Sequence, residues 1–331
     1  MKTVAFYIAH YDFRGTGNAV FNYAYYNEKI LNNRSIILYK KPDLFPYFNH
    51  PLVYELFSKH LTILNFTNKD KIEEICNQNN IDYIYFLCSG QDSRPPILDY
   101  FPTKVKTIGH FVFDTISNGS FDIQGTISET ISKNTGLPYV YHIIDLPSST
   151  TNLRKELSIP ENAVVFGRHG GFETFDIPYV FEAIIEVLNK NENIYFIFAP
   201  HPRYFQPVHP RIKYLDVIVD LNQKRKFIDT CDAMIHARTG GESFGISVLE
   251  FVFCGKPVFT TTGFDNQHIT NLGEAKIQYE NKEDLIQKML EFSNSTSTLN
   301  EKQKEVDKFK NVVEKFSPYN VMKNFEKTFL K

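Results

Sequence analysis

Short apolar runs alternate along the chain with helix-like segments and polar turns. The apolar runs of the first half lie at residues 3–9, 35–39, 83–88, 105–113 and 139–144. Runs of this length and composition are typical of buried parallel strands. Helical patterns at residues 19–31 and 69–79 lie between them. This alternation predicts a parallel sheet with helices on both faces.

A second series begins after a polar, turn-rich segment at residues 145–151. Its expected strands are residues 163–166, 194–199, 217–219, 233–237 and 257–261, and its expected helices are residues 179–189, 224–230 and 244–253. The 331 residues also suit two domains better than one core. The sequence therefore predicts an α/β protein of two Rossmann-like domains facing a cleft, with ligands outside the carboxyl ends of the strands.

Composition and charge narrow the functional class. The formal net charge of −2 gives no reason to expect a nucleic acid partner. No apolar stretch approaches the ~18 residues of a membrane-spanning helix, and the start of the chain does not resemble a signal peptide, so we expect a cytoplasmic protein. The cysteines Cys76, Cys88, Cys231 and Cys254 form no CxxC pair, which predicts reduced, buried thiols. No zinc-type cluster or convincing Asp-x-Asp site occurs, so no metal and no cofactor are expected.

The segment at residues 231–250 is the most informative part of the chain. An expected strand runs into a glycine-rich turn that contains Gly241 and Glu242, and then into a helix that contains Glu250. Free backbone N–H groups at such a helix start can hold a diphosphate without a metal. At ~1.5 Å per residue, a helix would separate the two carboxylates by roughly 12 Å, about the span from a sugar ring to a ribose across a diphosphate.

This segment resembles the E-x7-E signature of the retaining GT-B glycosyltransferases, the family that includes sucrose synthases and many bacterial mannosyl- and glucosyltransferases. The signature residues are Glu242 and Glu250, and the following residues 253–258 (FCGKPV) resemble the family's continuation. Residues 165–168 (VFGR) resemble its strand ending in Gly-Arg, and residues 316–321 (FSPYNV) resemble its last helix, which packs back on the first domain. The resemblance extends over about residues 139–331 and implies a GT-B fold. The expected divisions are residues 1–147, 148–312 and 313–331, for the acceptor-side domain, the donor-side domain and the returning helix.

The resemblance also implies roles for individual residues. Glu242 would contact hydroxyls of the donor sugar and Glu250 those of the ribose, while Arg168 would neutralise the diphosphate and stabilise the leaving group. The remaining donor-binding positions of the signature are Gly241, Ser243, Phe244 and Gly245, of which Phe244 and Gly245 would offer backbone amides to the phosphates.

One cation of the family pattern is missing. A lysine normally follows the arginine five or six residues later, where this chain has Glu173 and Thr174. Arg203 is assigned to donor binding as a candidate replacement, with Lys224 and Arg225 as further candidates.

Three features of the first domain leave alternatives open. His110 is either a catalytic residue near the donor sugar, as in similar enzymes, or a satisfied, half-buried histidine. The glycines Gly15 and Gly17 either form the family's first glycine loop, at the donor diphosphate, or a plain tight turn. The aromatic, basic stretch at residues 39–60 is either an acceptor loop or peripheral membrane contact, or an ordinary capping element.

The resemblance implies a metal-independent hexosyltransferase that uses a UDP- or GDP-linked sugar and a glycan, lipid-linked or other hydroxyl acceptor, with retention of configuration. Two other classes remain possible on the same fold. One is a sugar-nucleotide epimerase, or a phosphorylase, although no pyridoxal phosphate motif is present. The other is a degenerate binding or scaffold protein, suggested by the missing lysine. The sequence does not indicate an oligomeric state.

Overall fold

The computed structural model describes residues 1–12, 14–40, 49–88, 101–102, 104–114, 121–171, 173–200, 205, 209–295, 309 and 311–331. The chain divides into two compact units. Unit 1 consists of Met1–Ile143 and Phe316–Lys331, and unit 2 of Ile144–Lys315. Each unit is built around its own six-stranded sheet, in which all pairs of neighbouring strands are parallel. The predicted class of two Rossmann-like α/β domains is thereby confirmed.

The sheet of unit 1 has the strand order β3-β2-β1-β4-β5-β6. Its strands are β1 (Thr3–Ile8), β2 (Arg34–Lys40), β3 (Thr62–Phe66), β4 (Tyr83–Cys88), β5 (Lys106–Phe111) and β6 (Ile123–Thr126). Its helices are α1 (Gly15–Lys29), α2 (Pro51–His60), α3 (Lys69–Gln78) and α4 (Glu129–Thr135). The central strand β1 is buried along nearly its whole length, as its uninterrupted apolar sequence requires.

The sheet of unit 2 has the order β14-β12-β10-β7-β8-β9. Its strands are β7 (Val164–His169), β8 (Ile194–Ala199), β9 (Ile212–Tyr214), β10 (Ala233–Ile235), β12 (Val258–Thr260) and β14 (Lys276–Gln278). A separate two-stranded sheet pairs β11 (Gly241–Glu242) with β13 (Asp265–Asn266). The helices are α5 (Pro178–Lys190), α6 (Leu221–Thr230), α7 (Ile246–Phe253), α8 (Gln267–Leu272) and α9 (Lys282–Asn294).

The last helix, α10 (Pro318–Phe329), belongs to unit 1 although it follows unit 2 in the chain. Pro318 occupies its first turn, where the missing N–H of proline removes no helical hydrogen bond. Phe325 stacks on Tyr23 with ring centroids 5.3 Å apart and lies 5.6 Å from Tyr85. These contacts place the apolar face of α10 in the core of unit 1.

Two predicted strands are wrong. Residues 139–144 form only a single bridge, between Tyr139 and Thr126. Side chains take the carbonyls that a strand partner would use: Asn324 donates to the backbone carbonyl of Tyr139, and the Tyr23 hydroxyl donates to the backbone carbonyl of Tyr141. Residues 217–219 are irregular, because the edge of the sheet is instead formed by β9, at residues 212–214.

Candidate functional site

The glycine-rich turn of unit 2 is fixed by a close approach of two backbone segments. Gly241 has a φ of +63°, and a Cβ atom at this position would lie 1.8 Å from the carbonyl oxygen of Asp265. The pairing of β11 with β13 causes this approach. Only glycine combines the left-handed backbone with the missing side chain that the contact requires. The turn then presents Glu242 from the end of β11.

The carboxylate of Glu242 lies against two basic side chains. Its Oε2 atom accepts a 2.7 Å hydrogen bond from Arg238, and its Oε1 atom lies 3.5 Å from Nε2 of His236. Burial alone would raise the pKa of Glu242, but His236, Arg238 and His268 outweigh it and hold that pKa below its ordinary value. The group is therefore an anion at neutral pH and can accept hydrogen bonds from hydroxyls.

Two buried histidines, His236 and His268, lie next to Glu242. The backbone N–H of Glu242 donates to Nδ1 of His268 at 3.3 Å, and Nε2 of His268 donates to the carbonyl of Thr261 at 3.3 Å. The ring of His236 lies 4.9 Å from that of His268 and bonds to Thr260 through Nδ1. Burial, followed by the neighbouring His236, lowers the pKa of His268 to about 4, so this ring is neutral at pH 7.

Helix α7 starts directly after the turn. Gly245 precedes it with a φ of +86° and, as a glycine, has no side chain with which to cap the first N–H groups of the helix. Phe244 is almost completely buried, and its carbonyl accepts a hydrogen bond from Asn271 on α8. The predicted start of the helix at residue 244 is therefore two residues too early. Because Glu242 lies in a strand and not in the helix, the helical rise used to estimate its distance from Glu250 does not apply to residues 242–245.

Glu250 forms a buried ion pair with Lys224. The Lys224 ammonium on α6 donates to Oε1 of Glu250 on α7 at 2.8 Å, and the two side chains are only 3% and 7% exposed. Nδ1 of His169, at the end of β7, lies 3.8 Å from Oε2 of the same carboxylate. Of the candidate replacements for the family's lysine, Lys224 thus contacts a signature glutamate. Arg225 instead pairs with Asp229 and donates to the carbonyl of Pro147.

The guanidinium of Arg168 is buried and directed onto the loop that follows β7. It donates to the carbonyls of Gly170, Gly171 and Pro200 and to the hydroxyl of Thr174. Thr174 occupies one of the two positions where the family pattern has lysine. Its hydroxyl binds Arg168 at 2.8 Å and the Gly171 carbonyl at 2.9 Å, so it stabilises the loop.

His110 lies inside unit 1 and is completely buried. Its Nε2 atom donates to the carbonyl of Thr126 at 2.9 Å, and its Nδ1 atom accepts from the Tyr85 hydroxyl at 2.7 Å. Burial lowers its pKa to about 4. Both ring nitrogens are thus occupied by protein groups, and this geometry favours the structural alternative for His110 over contact with a sugar.

The remaining predicted residues lie at separate places in the chain. Gly15 and Gly17 form the first turn of α1, where a Cβ on Gly17 would lie 2.5 Å from the carbonyl oxygen of Asp12. Ser243 is partly exposed between β11 and α7. Arg203 lies outside the described residues, as do residues 41–48 of the aromatic, basic stretch.

Several residues of the site were not assigned a role from the sequence. They are His169, His236, Arg238 and His268. His236 and Arg238 come just after strand β10 and just before the glycine-rich turn, which is a usable sequence signal. His268 follows 26 residues after Glu242, and only the pairing of β11 with β13 brings it to the site.

Over the described ranges, no three His, Cys, Asp or Glu side chains are grouped so that they could hold a metal ion. Within the same ranges, no helix is both long and apolar enough to cross a membrane. None of the four cysteines forms a disulfide; Cys88 is partly exposed, whereas Cys76, Cys231 and Cys254 are buried.

Known structures resemble the chain over its whole length. HepE from Anabaena, solved with UDP and glucose, has a TM-score of 0.71 at 14% identity and covers 100% of both chains. A glycosyltransferase from Rickettsia africae has a TM-score of 0.70 at 16% identity, covering 99% of this chain and 97% of its own. A Listeria monocytogenes protein to which UDP-N-acetylglucosamine 2-epimerase activity is ascribed reaches 0.62 at 14% identity, covering 99% and 98%. At these identities the likeness establishes the fold.

Comparison of the sequence with known protein families gives a match within unit 2. Residues 161–295 match the family model described as "Glycosyl transferases group 1". No curated protein matches the chain in sequence. The matched segment contains Arg168, Lys224, Glu242 and Glu250, and with the fold it supports a glycosyltransferase. The chain therefore has a GT-B fold, and residues 161–295 of its second unit are similar to the group 1 glycosyl transferases.

Proposed function

We propose that this protein transfers a sugar from a nucleoside-diphosphate sugar to a hydroxyl acceptor, with retention of anomeric configuration and without a metal ion. The observation that carries the proposal is the pair of anchored carboxylates on either side of the start of α7, Glu242 before it and Glu250 within it. Both lie in the segment that matches the group 1 glycosyl transferases.

Glu242 is assigned to the hydroxyls of the donor sugar. Arg238 and His236 fix the direction of its carboxylate, and its lowered pKa keeps it ionised. A hydrogen bond from a hydroxyl to an ionised acceptor contributes ~1.5–3 kcal/mol. An acceptor that is oriented before the sugar arrives loses little side-chain entropy on binding.

Glu250 is assigned to the ribose, at the other end of the diphosphate. Lys224 holds its Oε1 atom, so the carboxylate presents Oε2 to the ligand. Lys224 also adds a positive charge close to the expected diphosphate, where the family pattern places a lysine on the loop after β7. We therefore assign to Lys224 the charge that Glu173 and Thr174 do not supply.

The diphosphate is assigned to the start of α7 and to Arg168. The uncapped N–H groups after Gly245 and the dipole of the eight-residue helix attract an anion. Gly241, Ser243 and Phe244 complete this turn. Arg168 acts through its fixed positive charge, because its N–H groups already bond to the loop after β7.

The transfer step follows from these positions. The bond from the anomeric carbon to the leaving phosphate oxygen breaks, and a bond from that carbon to the acceptor oxygen forms on the same face. The acceptor proton passes to the departing diphosphate. Arg168, Lys224 and the helix amides stabilise the charge that develops there, which is electrostatic catalysis by groups already in place.

Uracil is the base we propose first, since HepE was solved with UDP and with UDP-glucose. A GDP-linked donor is the second candidate. The acceptor is a glycan or lipid-linked hydroxyl. Gly15, Gly17 and Arg203 stay predictions as donor-binding residues, and the proposal gives His110 no catalytic role.

A thermal-shift panel with UDP, GDP, ADP, CDP and NAD tests the donor site. A nucleotide at 100 times its dissociation constant stabilises the protein by about 2.7 kcal/mol. We expect UDP, or failing that GDP, to raise the melting temperature of the wild type and to lose this effect in Glu250→Ala. Glu192→Ala, an exposed residue of the same unit, is the matched control and should keep the shift. A shift with NAD alone, or with no nucleotide, would contradict the proposal.

An epimerase is the second candidate function, because the Listeria neighbour with that ascribed activity has the same fold. The two activities differ in their need for an acceptor. Incubation with UDP-N-acetylglucosamine alone should leave the sugar unchanged if the protein is a transferase, and would convert it to its 2-epimer if it is an epimerase. The scaffold alternative gains if Glu242→Ala leaves all cellular activity intact.

A further inference from the structure

Two buried polar atoms beside the Lys224–Glu250 pair bond to nothing among the described residues: Nδ1 of His169 and Oε2 of Glu250. They lie 3.8 Å apart, and their side chains are 14% and 7% exposed. A direct N–H···O bond spans about 2.7–3.2 Å, so the two atoms do not bond to each other. Buried polar atoms without partners oppose folding, and two of them side by side indicate a place that a ligand atom completes.

Lys224 determines which carboxylate oxygen of Glu250 is available to a ligand. Its ammonium donates to Oε1 at 2.8 Å, and because both side chains are nearly fully buried, this contact fixes the rotation of the carboxylate. Oε2 is therefore the atom that can still accept a hydrogen bond. The pair joins α6 to α7, so the direction of Oε2 is set by two helices rather than by a loop.

His169 is the last residue of β7. Its ring lies 6.1 Å from that of Phe227 on α6. Burial, followed by the charges of Lys224 and Arg168, holds its pKa well below the ordinary value. The ring is therefore neutral at pH 7 and does not form an ion pair with Glu250. A neutral imidazole with hydrogen on Nδ1 offers a donor there.

We infer that His169 Nδ1 and Glu250 Oε2 together bind one hydroxyl group of the donor's ribose. An oxygen atom about 2.8 Å from both atoms closes a triangle on the 3.8 Å base, with normal hydrogen-bond lengths. The hydroxyl donates a hydrogen bond to Oε2 and accepts one from Nδ1–H. A single hydroxyl group therefore satisfies both protein atoms. An anion would be repelled by Glu250, and an ammonium group would have no acceptor for Nδ1–H.

This inference rests on the proposed function, which places the ribose at Glu250, and it adds His169 as a residue that determines specificity. A ribonucleotide completes both partners of the site. A deoxynucleotide that lacks the bound hydroxyl leaves both atoms buried and unpaired, and sites built in this way reject the missing hydroxyl strongly. The protein should thus distinguish ribose from deoxyribose through His169 as well as Glu250.

Titration calorimetry on the full chain tests the inference with UDP and GDP and with the 2′-deoxy and 3′-deoxy form of each. We expect the wild type to bind the ribonucleotide at least about tenfold more tightly than one of its deoxy forms. His169→Gln places its amide nitrogen near the position of Nε2 and should reduce that preference by about five- to tenfold. His169→Asn places its amide nitrogen near Nδ1 and should retain most of it.

The outcomes separate the inference from the proposed function. If neither UDP nor GDP binds the wild type, the donor site fails and the inference fails with it. If the nucleotide binds but the wild type accepts both deoxy forms equally, the inference alone is overturned. It is also overturned if His169→Gln, folded as judged by its melting curve, keeps the full preference for ribose. A preference for ribose that is lost in His169→Gln but kept in His169→Asn supports a hydrogen bond from the Nδ1 position.

Discussion

Gly241 is a position of the site at which an added side chain would collide with the backbone. A side chain at this position meets a backbone oxygen at 1.8 Å, and backbone atoms cannot rotate away as the end of a flexible side chain can. The residue also has a positive φ of +63°, which costs other residue types ~1–2 kcal/mol before any clash. Both costs would be borne by the turn that carries Glu242.

We predict that Gly241→Ala destabilises unit 2 by more than about 2 kcal/mol and weakens nucleotide binding, because β11 and β13 must separate to admit the methyl group. The measurement is denaturant unfolding combined with the thermal-shift panel. Gly136→Ala is the matched control: its φ is +73°, but a Cβ there meets nothing within 4 Å. It should cost only the ~1–2 kcal/mol of the left-handed backbone. Equal losses in the two variants would show that the contact with Asp265 does not matter.

At the scale of residues, the sequence indicates the signature glutamates but not their surroundings. Glu242, Glu250 and the glycines lie in one recognisable segment, so a local pattern is enough to find them. The partners of Glu242 are only partly local, since His268 reaches it through strand pairing. The direction of the Arg168 guanidinium depends on the positions of Gly170, Gly171 and Thr174, which no periodicity encodes.

At the scale of elements, the helix that completes unit 1 depends on a few aromatic side chains. Phe325 of α10 is fully buried against Phe6, Tyr23 and Tyr85, and Phe329 lies 5.0 Å from the ring of His110. Tyr319, on the same helix, is 62% exposed. The stability that α10 gives to unit 1 should therefore come from one face of the helix.

We predict that Phe325→Ala lowers the free energy of unfolding of unit 1 by about 3–5 kcal/mol, the usual range for a buried phenylalanine. Tyr319→Ala should change it by less than about 0.5 kcal/mol, since exposed positions seldom contribute more. Unfolding followed by tyrosine fluorescence and circular dichroism compares the two variants. A small effect of Phe325→Ala would show that α10 is only loosely attached.

The predicted helices and strands agree best with the structure where the hydrophobic pattern of the sequence is strong. The predicted bounds of buried strands such as β1 and β4 agree with the structure within a residue or two. Short, continuous apolar runs are typical of strands that are buried on both faces. Residues 139–144 are equally apolar, yet they form no strand. Their carbonyls are taken by side chains of α1 and α10, which lie far away in the sequence. An apolar run therefore indicates burial more securely than it indicates pairing.

At the scale of the whole molecule, buried neutral histidines make stability depend on pH. Burial lowers the pKa of His110 and His268 from 6.5 to about 4, and it lowers that of His142 and His169 well below 6.5. Between pH 6.5 and 4 the unfolded chain thus binds more protons than the folded protein. Stability must therefore fall as the pH is lowered through this window.

We predict a steep loss of stability from pH 6.5 to pH 4, to which each of these histidines contributes up to about 1.4 kcal/mol per pH unit. Urea unfolding at a series of pH values measures the slope. His268→Gln should reduce the slope in unit 2, because it removes a group whose pKa burial lowers to about 4. A pH-independent free energy of unfolding across this window would contradict the prediction.

The return of the chain to unit 1 has a consequence for biosynthesis. Unit 2 is one continuous segment, whereas unit 1 needs residues at both ends of the chain. A ribosome that adds about 5–20 residues per second requires roughly 10–30 s to make unit 2. During that time Tyr23 and Tyr85 have been synthesised, but α10, which covers them, has not. The nascent chain therefore has every residue of unit 2 before it has α10, which unit 1 requires for its core.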